Sequence, residues 1–325
     1  MELVLDTYGV SLSRDNEGFV IISDGEKQRI PVSSVDSIQV SRGAQITSDA
    51  VLLAIEHEIG IVFVDRTGSP KGLVWSPRYG SVSTIRKGQL AFTASKDAVR
   101  WIKDVLVRKI GNQKSLILSL CDDGSAGSFQ KSLSDLDSFT RRIKALRGGS
   151  VSDISEKLRG IEGQSARIYF SAMNAFLPAS LRFKRRTQHP AKDAANAFLN
   201  YCYGMLYSQI EEALIKAGID PYIGILHRDD YRRPAMVFDV IEPYRIWADY
   251  VVYTLLSQGI DTDGLCSIEE KGSCCLEPLG RRIITQSFND YLDEVVTDEN
   301  VPRSRRASIT IYVQSLAQKF KGYAQ

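Results

Sequence analysis

The stretch IGIVFVDRTGSP, residues 59–70, sets a dense β-branched run against a cluster of turn-forming residues. Val and Ile crowd a helix and suit a pleated strand, and Thr-Gly-Ser-Pro stops either kind of element. The run reads as a strand, and the same reading extends backwards. FVIIS (19–23) and VDSIQV (35–40) are further β-branched runs, set apart by SDGEK and SRG and preceded by DNEG. One interruption, SDAVLLAIEHE (48–58), reads as a short helix with Ser48 or Asp49 as N-cap. Residues 1–82 are therefore predicted to form a small β-rich domain. His57, on that helix, is assigned a surface or packing role.

Forward of this stretch the hydrophobic period changes. Residues 83–89 read as a linker, and from there segments near 90–122, 130–147, 153–175, 191–217, 240–258, 279–297 and 306–321 carry apolar residues at three- and four-residue spacing. Gly124–Ser128 reads as a loop, and RGGS (147–150) as a break. GLCSIEEKGSCCLEP (264–278) reads as a small hairpin turning at Lys271–Gly272. The expected fold is α+β in two domains, with an all-α domain over 90–325.

Of 325 residues, 43% are hydrophobic and 25% charged, which excludes a disordered chain. No apolar run approaches the ~18 residues of a membrane span. The opening MELVLDTYGV has two acids and no base, the wrong charge for a secretory signal, so the cytoplasm is the expected location. Cysteines 121, 202, 266, 274 and 275 lack both a disulfide framework and the paired spacing of a zinc ribbon; they read as reduced thiols. Residues 1–80 hold 7 Lys/Arg against 11 Asp/Glu, a net of −4, so the whole-chain +2 leaves +6 for the rest. Bases cluster at Arg141–Arg147, at Arg182, Lys184, Arg185 and Arg186, at Arg232–Arg233, at Arg281–Arg282 and at Arg303–Arg306. Any one cluster is an ordinary solvated face. Five beyond residue 140 fit binding to a phosphate backbone.

Three stretches carry candidate chemistry: RGIEGQSARIYF (159–170) with Glu162, DPYIGILH (220–227) with His227, and FDVIEPYR (238–245) with Asp239 and Glu242. Two carboxylates and an imidazole suit Mg²⁺ or Mn²⁺. Asp153 and Glu156 have capping-box spacing and predict the start of the Glu162 helix. Gly160 and Gly163 each cost a helix interior ~1 kcal/mol, so a close approach by another backbone or by a ligand is expected there. Ala166 and Tyr169 continue the Glu162 stripe at i+4 and i+7. Residues 191–217 form a scaffold helix ended by Gly218. His189, before Pro190, is assigned a structural role. Pro243 suits a first helical turn, so a helix is expected to begin near Asp239, where both acids would face its positive end. Asp239 is accordingly read partly as a cap, with Glu242 the direct ligand.

In these three stretches, the small hairpin, the basic Gly280–Arg282 and the final helix IYVQSLAQKFKGY, the chain resembles the metal-dependent integrase of CRISPR adaptation. The resemblance covers most of the chain. It implies that Glu162, His227 and Glu242 hold the metal, with Asp239 close by, and that basic residues such as Arg182, Lys184, Arg185 and Arg186 hold double-stranded DNA. It also implies a transesterification by a DNA 3′-OH at a CRISPR repeat, a homodimer joined through the β domains, and a small ferredoxin-like adaptation subunit as partner. Two alternatives stand beside it: a transposase of the same superfamily, and a non-catalytic DNA-binding scaffold.

Overall fold

A computed structural model describes residues 2–324 apart from 17, 24, 36, 58, 65–69, 75–81, 122–125, 189, 228–232, 261, 263, 269–271 and 299–300. The turn after the 59–64 run, residues 124 and 125 of the 124–128 loop, His189, Arg232 and Lys271 lie outside the described residues; the rest of that loop is part of a 3-10 turn, Ala126–Phe129.

The first part is strand-rich. It runs β1 (Glu2–Leu5), β2 (Ser11–Arg14), β3 (Gly18–Ser23), β4 (Glu26–Pro31), β5 (Ser37–Val40), β6 (Gln45–Ile46), α1 (Ser48–Glu56), β7 (Gly60–Val64) and β8 (Pro70–Val74). One sheet has the order β1-β5-β7-β8, parallel except for its last pair; the other has the order β4-β3-β2-β6. Leu5, Leu12, Phe19, Ile38, Leu53 and Ile61 share one buried cluster. Thr47, rather than Ser48 or Asp49, caps α1 by accepting from the Ala50 N–H. β4 (EKQRIP) exposes every residue but Ile30, a charged edge that discourages unwanted strand pairing.

The second part is helical: α2 (Val82–Thr93), α3 (Lys96–Ser119), α4 (Gln130–Ala145), α5 (Ser155–Met173), α6 (Ala194–Lys216), α7 (Ala235–Ile241) and α8 (Arg245–Ser257). A hairpin of β9 (Cys266–Ile268) and β10 (Cys274–Leu276) follows, then α9 (Pro278–Asp293), a second hairpin of β11 (Val295–Asp298) and β12 (Val301–Ser304), and α10 (Arg305–Lys321). Residues from Ile85 to Phe320 share a second, larger core.

Four sequence expectations are corrected. Residues 83–89 are not a linker but the first turns of α2, whose Ile85 and Phe92 are buried. The 90–122 segment is two helices, because Ser95 accepts from the Ala98 N–H and starts α3. Asp153 does not cap α5: it turns back to accept from the Gly149 and Ser150 N–H groups, which holds the RGGS turn and lowers its own pKa. The part beyond residue 90 is not purely α, since α9 stops at Asp293 and the chain turns back through β11 and β12.

α10 closes the helical part. It packs on α2, where Phe92 meets the rings of Phe320 and Tyr323 at 5.1 Å each. Tyr312 on α10 accepts from Trp101 Nε1 at 3.1 Å, lies under the Arg108 guanidinium and stands 6.0 Å from the Tyr244 ring. At Gly88 the two helices touch so closely that a Cβ would land on the Phe320 carbonyl oxygen. Gly88→Ala is therefore expected to lower stability by about 2 kcal/mol despite its better helix propensity, as read in a thermal melt.

Candidate active site

The site is built around α3. Its buried stripe runs Ile102, Val105, Leu106, Ile110, Gln113, Leu116 and Ile117, and Lys109 falls on that stripe. Lys109 Nζ donates to Glu162 Oε1 at 2.6 Å and pairs with Glu242 Oε2, so one ammonium bridges both carboxylates. Arg245 Nε donates to the other Glu242 oxygen at 2.9 Å. Burial alone would raise the Glu242 carboxyl, but the Arg245 guanidinium and then the Lys109 ammonium outweigh it and hold it at about 2. Burial would likewise strip Lys109 of its proton; the charges of Glu162 and Glu242 offset this and leave its pKa above the ordinary value. Both effects say that Lys109 and Glu242 carry their charges.

Glu242 reaches this point by a route the sequence reading did not anticipate. The helix does not begin near Asp239. α7 has already run from Ala235, and Pro243 sits in a 3-10 turn, Glu242–Tyr244, that joins α7 to α8. Asp239 is therefore no helix cap. It is wholly buried and faces the 220–227 loop, accepting from the N–H groups of Ile225 (2.5 Å), Leu226 (3.0 Å) and His227 (3.2 Å). The loop comes this close because Gly224 has no side chain: a Cβ there would stand 2.6 Å from Ala235 Cβ and 2.7 Å from the His227 carbonyl oxygen. Asp239 Oδ1 also meets His227 Nδ1 at 2.7 Å, which fixes the ring and leaves Nε2 as the nitrogen able to ligate. Burial pulls the His227 pKa down, but the hydrogen bond and charge of Asp239, with smaller contributions from Glu242 and Glu162, carry it above its ordinary value.

Glu162, Glu242 and His227 thus share one field, with Asp239 behind the histidine. Among the described residues, however, no three of His, Cys, Asp and Glu stand so as to hold a metal ion, and the cation between the carboxylates is Lys109. By donor type, two carboxylates converging on one cation and an imidazole that feels their charge and has its Nδ1 already engaged are groups that a hard divalent ion takes.

A cavity of about 640 Å³ opens beside Glu162, lined by Gly163, Arg167, Lys184, Arg185 and Arg186 among others. Lys184 and Arg185 are exposed. Arg186 donates to the Thr187 carbonyl at 2.6 Å and Asn196 Oδ1 at 2.8 Å. Arg182 is not a lining residue; it folds back onto the carbonyls of Leu177 and Ala175, where it braces a turn. A Cβ at Gly160 or Gly163 would meet nothing within 4 Å, so no neighbouring backbone accounts for either glycine.

The sequence reading missed Lys109 and Arg245. A lysine inside an apolar helical stripe was the available signal for the first, and the i+3 spacing from Glu242 for the second.

The family model for "CRISPR associated protein Cas1" matches residues 3–290. The chain belongs to that family. It is 28% identical over 309 residues to a CRISPR-associated endonuclease Cas1 of Archaeoglobus fulgidus, covering 90% of this chain and 88% of that one. Its fold is similar to a chain of a partial Cas6-RT-Cas1–Cas2 complex (TM-score 0.75, 22% identity, covering 99% and 96%). It is also similar to a casposase bound to integration product (TM-score 0.72, 21% identity, covering 99% and 95%).

Proposed function

We propose that this chain is a metal-dependent DNA endonuclease and integrase of CRISPR adaptation, which joins short DNA duplexes to a repeat array by 3′-OH transesterification. The observation that carries the reading is the convergence of Glu162 and Glu242 on one cation, within the field of His227 and beside a basic cavity. The A. fulgidus relative, named an endonuclease, supports the reaction class. Glu162, Glu242 and His227 would hold Mg²⁺ or Mn²⁺, which when bound supplies a Lewis acid for the scissile phosphate.

The chain's own residues do the rest. Asp239 holds His227 by ring and backbone, Arg245 orients Glu242, and Lys184, Arg185 and Arg186 hold the phosphate backbone. In the reaction the attacking 3′-oxygen loses its proton and bonds to phosphorus, as the bond to the leaving 3′-oxygen breaks and that oxygen gains a proton. One phosphodiester replaces another, so no protein nucleophile is needed. Integration of a labelled duplex into supercoiled plasmid, with Mg²⁺, with Mn²⁺ and with neither, tests the reading; no joined product with either metal would end it.

The casposase likeness favours one second reading, a transposase using the same residues on another target. The Lys109 bridge favours another, a DNA-binding scaffold whose carboxylates are already satisfied. Metal-dependent joining that is lost on ligand substitution separates catalyst from scaffold.

Two further expectations follow from the same reading. Neutralising Arg185 and Arg186 together should weaken binding to duplexes of any sequence and lower the slope of log affinity against log salt by about 2. An unchanged slope would move the DNA track elsewhere. The assembly we propose is a homodimer formed through the net acidic β-rich part, with a small ferredoxin-like adaptation subunit as partner. Light scattering of the full chain should give twice the chain mass, and a monomer would count against paired strand transfer. No helix among the described residues is long and apolar enough to cross a membrane. The location we propose is the cytoplasm.

A further inference from the structure

Asp249 is a buried carboxylate with no part in the scheme above. It lies on α8 and faces two tyrosines: Oδ2 accepts from Tyr169 Oη at 2.8 Å and Oδ1 from Tyr203 Oη at 2.5 Å. Tyr169 is fully buried on α5, seven residues beyond Glu162; Asp249 is seven residues beyond Glu242. On α5, residues seven apart share a helical stripe; on the other side Glu242 lies in the 3-10 turn that leads into α8, which carries Asp249. The two segments are therefore tied twice: Glu162 and Glu242 meet on Lys109, and further along each chain segment Tyr169 and Asp249 share a hydrogen bond. A carboxylate held in this way resists displacement, because leaving it unpartnered in a low-dielectric interior costs several kcal/mol.

Tyr203 carries the same anchor to the cavity. The Arg245 and Arg186 guanidiniums lie 5.2 and 5.4 Å from its ring centroid. Arg245 holds Glu242, while Arg186 lines the cavity. Packed between Phe170 and Tyr203, within the charge of Asp249 and with Nη1 on the Thr187 carbonyl and Asn196 Oδ1, Arg186 is held at the cavity wall, where its remaining N–H groups can meet a phosphate.

We infer that Asp249 is a positioning residue: through Tyr169 it sets the separation of the Glu162 and Glu242 carboxylates, and through Tyr203 it fixes Arg186 as a phosphate ligand beside them. This rests on the integrase reading. Tyr169→Phe and Tyr203→Phe each keep the ring and remove one O–H, so both should fold even if Asp249→Asn does not.

Each tyrosine variant should cut the single-turnover strand-transfer rate at saturating duplex by about tenfold, with duplex affinity within about twofold of wild type. Tyr169→Phe should also weaken Mn²⁺ binding by about tenfold, read by electron paramagnetic resonance on the protein without DNA. Combining Tyr169→Phe with Asp249→Asn should cost no more than the larger single change. Wild-type rates in both tyrosine variants would overturn the inference and leave the cluster a core anchor; so would a fall in affinity equal to the fall in rate. A wild-type chain that joins no strands would instead sink the integrase reading, and the Mn²⁺ measurement would still decide whether Tyr169 spaces the carboxylates.

Discussion

Glu162→Ala, Glu242→Ala and His227→Ala are each expected to abolish strand transfer, a loss of at least about a thousandfold, while duplex affinity stays within about threefold of wild type. The two readouts part because the site carboxylates repel phosphate, whereas affinity comes from the cavity's bases. Full activity in Glu162→Ala would remove that residue from the site. Asp239→Ala belongs to a different class. It leaves three backbone N–H groups of the histidine loop without an acceptor, each costing about 1–3 kcal/mol, so activity and thermal stability should fall together. Asp239→Asn keeps an acceptor, and wild-type activity there would confine Asp239 to holding the loop.

Lys109→Met should lower the melting temperature in chelator by on the order of 5 °C, about 3 kcal/mol, because it leaves Glu162 and Glu242 face to face in a mostly dry site. Excess Mn²⁺ should then restore more stability to the variant than it adds to the wild type, since a ligand that binds only the folded state stabilises it by mass action. The comparison is made by melting both proteins with chelator and with Mn²⁺. If the variant melts like wild type in chelator, the ammonium is not what holds the carboxylates together. If Mn²⁺ shifts neither protein, the pair is an ordinary buried ion pair.

Glu162, His227 and Glu242 stood out in the sequence as candidates because each sits in a stretch whose neighbours are unusual: paired glycines, a loop after Pro221, a proline after the acid. Lys109 did not, since the pattern that buries it is the one that normally signals an apolar core. Pro243 misled for a physical reason: a first-turn proline and a proline between two helices look alike in sequence, and only the preceding turn of α7 tells them apart. Of the β-rich part, the runs with dense β-branching were readable as β3, β5 and β7. β4 was not, because an edge strand that buries only Ile30 has neither alternation nor an apolar run. The linker reading failed at α2 because its apolar residues are sparse, and its packing partner, α10, lies more than two hundred residues away.

That distance has a consequence for how the protein comes into being. Tyr312 props both Trp101, two turns before Lys109, and Tyr244, two residues after Glu242. At about 5–20 residues per second of synthesis, α10 leaves the ribosome several seconds after every acidic side chain of the site has been made. Until then the elements that present those carboxylates lack their brace and α2 lacks its cover. A newly made chain therefore holds the acidic side chains of the proposed site before it can place them, and α10 finishes the centre.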